Sequence, residues 1–187
     1  MLGITDLKIG TKIQLDGVPY VVIWNQHSKQ ARGGGVMKTK LKNLITGKTL
    51  EKTFQGNEKI EPAEINFRRA QFLYANEDNY EFMDQETYET VRLSKAQLGG
   101  VENFLTDGME VDLQYFENNP INIQLQPKMA FEITHAEPGV KGDSAQGATK
   151  NATIETGYSL KVPLFVETGD KIIINTDSGE YVERAKK

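Results

Sequence analysis

Tyr20-Val21-Val22-Ile23-Trp24 and Val36-Met37-Lys38-Thr39-Lys40-Leu41-Lys42 stand on either side of Lys29-Gln30-Ala31-Arg32-Gly33-Gly34-Gly35. The first run is rich in β-branched and aromatic residues, and the second alternates strictly, so both predict strands. Alternation sends Lys38, Lys40 and Lys42 to one face and Met37, Thr39 and Leu41 to the other. Two strands joined through a glycine-rich stretch predict a hairpin, with Arg32 as the one long cationic side chain at its tip. Gly33, Gly34 and Gly35 leave that tip bare and permit backbone angles closed to other residues.

A guanidinium stays protonated at physiological pH, so Arg32 is a poor general base or nucleophile. Its planar fork of donors suits phosphate or carboxylate, and its flat face can stack on bases. The competing reading is a solvated hairpin turn. From Lys29 to Lys52 the chain carries seven basic side chains and a single acidic one, Glu51, which is a footprint for a polyanion. Lys29, Arg32, Lys38, Lys40 and Lys42 are therefore the candidate polyanion-binding residues, the polyanion itself left open by charge alone, with Gly33, Gly34 and Gly35 allowing close approach.

Working outward, short strands and turns fill the rest of the chain. Leu7 to Leu15, broken at Gly10 and alternating after it, precedes an Asp16-Gly17 turn, and Thr49 to Phe54 follows Thr46-Gly47. Together these predict a small barrel over residues 1–64, stabilised by docking on a neighbour. The polar stretch Gly56 to Glu64, containing Pro62, is expected at a boundary. Strand patterns resume at Gln71-Phe72-Leu73-Tyr74, Tyr80 to Met83, Thr87 to Leu93, Glu110 to Phe116 and Ile121 to Leu125. Ser94 to Leu98 predicts one helical turn capped by Ser94 and stopped by Gly99-Gly100. Residues 65–127 thus predict an OB-type barrel, and residues 128–187 repeat the theme around a turn-rich loop from Pro138. The fold class is all-β, in three small barrels.

Charge separates these segments. Residues 1–64 carry 10 basic and 6 acidic side chains, residues 65–127 carry 4 and 11, and residues 128–187 carry 8 and 9. The overall −4 conceals a basic first third beside an acidic middle. With no cysteine there is no disulfide, thiol nucleophile or thiolate metal site. No apolar run approaches the ~20 residues that span a bilayer. The start Met1-Leu2-Gly3-Ile4-Thr5-Asp6 lacks the pattern of a signal peptide, so no membrane partner and a cytoplasmic location are expected.

Chemistry-bearing clusters are sparse. His27 and His135 fall in different segments with no spaced ligand set, so neither metal, cofactor nor catalytic residue is expected, and an enzyme is the unsupported alternative. His27 reads as a solvated loop residue, and Asp84, Glu86 and Glu89 as a solvated acidic face. Trp24 and the strand Tyr and Phe residues read as core. A generic OB-type binder of single strands is a third reading. It sits poorly with residues 65–127, whose excess of acidic side chains repels phosphate.

Longer motifs carry a resemblance. Lys161-Val162-Pro163-Leu164-Phe165-Val166-Glu167-Thr168-Gly169-Asp170, Pro138-Gly139-Val140-Lys141-Gly142-Asp143 and Leu41-Lys42-Asn43-Leu44-Ile45-Thr46-Gly47 resemble bacterial elongation factor P, with likeness along the full length. The resemblance implies a KOW/SH3-like first domain, two OB-type domains and an L-shaped, tRNA-like outline. It implies a factor that binds the 70S ribosome and its ribosomal RNA beside the peptidyl-tRNA and restarts synthesis at proline runs. The hairpin tip would reach the acceptor end of that tRNA, and the loop Lys141, Gly142, Asp143, Ser144 would lie near tRNA and mRNA. Arg32 stands where many members carry a modified lysine and one branch a rhamnosylated arginine, which implies a possible modifying enzyme. That branch has Asn after its arginine where this chain has Gly33, and the order Ala31-Arg32-Gly33 resembles instead the elongation factor P-like paralogue. Asn43-Leu44 and Ser178-Gly179-Glu180-Tyr181 favour the main factor.

Overall fold

A computed structural model describes residues 1–30, 34–139 and 148–185, whose strands form three five-stranded antiparallel sheets. The first holds β1 (Lys12–Leu15), β2 (Val18–Gln30), β3 (Gly34–Asn43), β4 (Thr49–Gln55) and β5 (Glu61–Pro62), in the order β4-β3-β2-β1-β5. Asp16 and Gly17 sit at φ 50° and 76°, the paired left-handed angles of a tight hairpin turn between β1 and β2. The stretch expected at a boundary supplies the edge strand β5, where Pro62 costs no central ladder bond. Ile4, Leu7, Ile13, Val22, Met37, Leu41, Phe54 and Ile60 fill the interior of this sheet.

The second sheet runs β10 (Asn119–Gln124), β9 (Glu110–Phe116), β6 (Ile65–Asn76), β7 (Asn79–Asp84), β8 (Thr90–Ser94). The third runs β13 (Ser159–Pro163), β12 (Thr149–Ile154), β11 (Lys128–Ala136), β14 (Lys171–Asn175), β15 (Glu180–Arg184). Counted from its own first strand, the second has the order fifth, fourth, first, second, third, and the third has the same order, listed from its other edge as third, second, first, fourth, fifth. In each, the two edge strands, third and fifth, approach again at the far side, so both sheets curl into barrels. The all-β reading with a KOW-like and two OB-type modules holds. α1 (Lys95–Leu98) lies after β8, with Ser94 accepting from the Gln97 amide and Gly99 at φ 63° ending it as expected.

Packing groups the residues into two compact units, Met1–Gly99 with Glu110–Gln124, and Gly100–Met109 with Leu125–Lys187. In the first, the turn after β3 is held by Asn43, whose side-chain oxygen accepts from Ile45 and Thr46 amides at 2.8 and 2.9 Å. Leu44 and Ile45 then pack on Ala63, Phe116 and Ile121, so the small first sheet gains core from the second. In the other unit Phe104 packs against Phe131 and edge-on against Tyr158, with ring centroids 5.7 and 5.0 Å apart. Among the described residues no helix is long and apolar enough to cross a membrane.

Two β-bulges overturn expectations about aromatic residues. Val22 pairs with Leu41 and Trp24 with Lys40, leaving Ile23 as an extra residue. One extra residue reverses the alternation, so Val22 points inward and Trp24 outward, 40% exposed rather than core. The same device acts at Leu73, between Phe72 paired with Phe82 and Tyr74 paired with Glu81. Phe72 is buried and Tyr74 is 55% exposed.

Asp84 also departs from expectation, because it is buried at 1% exposure rather than part of a solvated acidic face. It ends β7, and one carboxylate oxygen accepts from the Glu86 and Thr87 amides at 2.8 and 3.2 Å. The other accepts from the Tyr115 hydroxyl at 3.0 Å and lies 3.6 Å from the Arg68 guanidinium. Burial pushes this carboxyl up, but the two amides, the Tyr115 hydroxyl and the Arg68 charge together outweigh it and hold Asp84 below its ordinary value. Burial, reinforced by the hydrogen bond to Asp84 and its charge, pushes the Tyr115 hydroxyl up to about 12.

Candidate nucleic-acid interface

The long hairpin of β2 and β3 pairs from Tyr20↔Asn43 out to Gln30↔Gly34. On β3 the alternation is as expected: Lys38, Lys40 and Lys42 are exposed while Met37, Thr39 and Leu41 are buried. The three lysines are not electrically equivalent. Lys40 Nζ lies 3.2 Å from Glu51, its cross-strand partner on β4. Among the described residues Lys38 and Lys42 have no carboxylate partner, their β4 neighbours being Thr53 and Thr49. Of these three lysines, Lys38 and Lys42 therefore offer the more available positive charge to a polyanion.

Gly35 serves the protein's own packing. A Cβ there would lie 2.6 Å from His27 Nε2 and 3.5 Å from Ile4 Cδ1. His27 belongs to β2 rather than to a loop, and its exposed ring covers the Gly35 backbone. From the other side Gly56, just after β4, abuts the same residue: a Cβ on Gly56 would lie 2.9 Å from Gly35 O. The hairpin is thus clamped at Gly35 between a side chain that can swing away and a backbone that cannot. Gly56→Ala is expected to destabilise by about 1–3 kcal/mol through overpacking. Gly35→Ala is expected to cost less, because the His27 ring can rotate outward. Chemical denaturation of both variants checks the ranking, and equal costs would remove the backbone contact as the cause.

Other candidates lie partly or wholly beyond description. Arg32 and Gly33 fall outside the described residues, as do Lys141, Gly142, Asp143 and Ser144. Lys29 and Gly34 are placed by their backbone pairing, Lys29 opposite Gly35 and Gly34 opposite Gln30. The reading of sequence missed Trp24 and Gln26, which join Lys38 and Lys40 around a surface cavity of about 530 Å³ on the outer face of the sheet. Only the bulge at Ile23 makes them neighbours, and no residue type in that run announces it. Among the described residues no three His, Asp or Glu side chains are grouped to hold a metal ion. His27 lies on β2 and His135 on β11.

Comparison with known proteins is consistent along the chain. Models of the elongation factor P KOW-like, OB and C-terminal domains match residues 4–60, 65–123 and 129–184 in that order. Among solved structures, eukaryotic translation initiation factor 5A from Methanococcus jannaschii is 27% identical with a TM-score of 0.52, covering 62% of this chain and 85% of that one. A translation initiation factor eif-5a family protein from Naegleria fowleri is 13% identical with a TM-score of 0.48, over 66% of this chain and 94% of the other.

Proposed function

The chain belongs to the elongation factor P family of translation factors, and from that premise we propose that it binds the ribosome beside the peptidyl-tRNA and promotes peptide bond formation where proline runs stall synthesis. The observation that carries the reading is the exposed cationic face of the β2–β3 hairpin, Lys38, Lys40 and Lys42, on the strand that follows Arg32. Such a face presents fixed positive charge to phosphates, and a hairpin can lay that charge along a tRNA acceptor end. The factor contributes position and electrostatics; the reacting atoms and the covalent step stay with the ribosome. The working domains are residues 1–64, 65–127 and 128–187, with Lys141, Gly142, Asp143 and Ser144 as a second contact toward tRNA and mRNA. Its place of action is the cytoplasm, and an enzyme that modifies Arg32 is a further partner to be sought.

The test is synthesis of a proline-run peptide in a reconstituted system with and without the purified protein. Faster passage through the proline run is expected, with no change on a proline-free control. An equal rate in both conditions would overturn the reading. Lys38→Gln and Lys42→Gln should each weaken ribosome binding and flatten its salt dependence, the slope falling by about 0.7–0.9 for each phosphate no longer neutralised. Lys40→Gln should do less, because Glu51 already offsets that charge. Three equal effects would show that the ion pair opens on binding.

A further inference from the structure

The outer face of the first sheet carries a feature that phosphate attraction does not account for. Trp24 is the only tryptophan in the chain, and the Ile23 bulge turns it to solvent beside Lys40. Gln26 follows two residues on, opposite Lys38, and Thr53 lies on the far side of Lys38. These side chains, with Thr39, Lys40, Glu51 and Lys52, line the cavity of about 530 Å³, within the roughly 300–1,000 Å³ typical of small-ligand sites.

Its chemistry is mixed in an informative way. An exposed indole face offers stacking to any planar base. Gln26 brings an amide that can both donate and accept, as the edge of a base requires. Lys38 is a cation with no carboxylate partner among the described residues, available to one phosphate. Glu51, paired to Lys40 at 3.2 Å, puts a negative charge in the same wall. A groove tracking a duplex backbone would exclude that carboxylate, whereas a single nucleotide can keep its phosphate at Lys38 and turn its hydroxyl or amino donors toward Glu51.

We propose that this cavity is a binding site for one unpaired ribonucleotide, whose base stacks on Trp24, whose edge meets Gln26 and whose phosphate meets Lys38. The proposal rests on the preceding reading for one point only, that the partner is RNA. Its consequence is a second kind of contact on the hairpin domain, with an extruded or single-stranded base rather than with helical phosphates.

Because Trp24 is the only tryptophan, its emission reports the site directly. The whole chain is titrated with a single-stranded RNA tetramer, an abasic tetramer of equal charge, and a short RNA duplex. Quenching by the unpaired tetramer is expected, with little from the other two. Anisotropy of a labelled tetramer should show Trp24→Leu weakening binding about 5- to 150-fold, the range for loss of one stacked base, and Trp24→Phe recovering most of it. Lys38→Gln should lower the salt slope by about 0.7, one single-strand phosphate. Equal quenching by the abasic strand or the duplex would overturn the site, as would no quenching by any strand at millimolar concentration. So would equal quenching by an acidic peptide. These titrations contain no ribosome and no proline run. A failed site with intact rescue of proline-run synthesis would therefore count against this inference alone, and the reverse against the function alone.

Discussion

Asp84→Ala is expected to lower the thermal midpoint of unfolding by roughly 6–12 °C, corresponding to a loss of about 3 kcal/mol in a chain of this size. The carboxylate is buried and serves four groups at once: the Glu86 and Thr87 amides, the Tyr115 hydroxyl and the Arg68 guanidinium. Removing it leaves the amides of the turn after β7 and a buried hydroxyl without an acceptor. Arg68 is one-third exposed and recovers water, which keeps the loss nearer the lower end of the range for buried pairs. Asp84→Asn should cost less, because its amide oxygen can still accept from the turn while the charge attracting Arg68 is gone.

The pH dependence separates charge from hydrogen bonding. Asp84 is held below its ordinary value in the folded chain, so its ionised form contributes stability above the unfolded value of about 3.9. That contribution fades as pH falls through the lower folded value. The stability gap between the parent and Asp84→Asn should therefore be full at neutral pH and narrow below about pH 4. Tyr115 acts on the other limb: its raised value, about 12, means that stability is lost as pH rises from about 10. Thermal unfolding of both chains from pH 7 downward checks the first claim. A gap that stays constant into acid would show that Asn lacks only shape.

What was legible in the sequence follows from what alternation can and cannot report. The lysine stripe was readable because β3 keeps unbroken period-two order from Met37 to Lys42. Trp24 was not, because Ile23 is an ordinary strand residue and its bulge is set by pairing with β3, which is a tertiary fact. Tyr74 was misread for the same reason. Asp84 carried a usable signal: Phe82 faces the core, and a residue two further along a strand faces it too. Its acidic neighbours Glu86 and Glu89 masked that signal. The docking of Leu44 and Ile45 was foreseen as a need of a small sheet, but not as those residues. Gly35 was read as clearance for RNA, whereas His27 and Gly56 occupy the space beside it. Clearance for a partner and clearance for the chain's own packing look alike in sequence.

Arg32→Ala is expected to abolish rescue of proline-run synthesis while leaving fold and most ribosome affinity in place, under the function proposed above. Pairing of β2 and β3 continues to Gln30↔Gly34, Arg32 falls between those two residues in sequence, and the turn that docks on Phe116 and Ile121 follows Asn43 at the other end of β3. Binding can draw on Lys38 and Lys42, whereas positioning at the tip falls to Arg32. Removing a charge-assisted hydrogen bond of about 1.5–3 kcal/mol lowers the accelerated rate by roughly 10- to 150-fold, which would return it to the unassisted level. Arg32→Lys keeps the charge but loses the planar fork, so it should recover little where two phosphate oxygens are gripped together. If the native residue carries a sugar, protein from its own cells should outperform unmodified recombinant protein, and the intact mass of the native chain should show the addition. The comparison is made at equal ribosome occupancy, fixed by a binding measurement on each variant, so that affinity and positioning do not mix. Rescue by Arg32→Ala equal to that of the parent would take the guanidinium out of the mechanism and leave the hairpin acting through its bulk and its lysines.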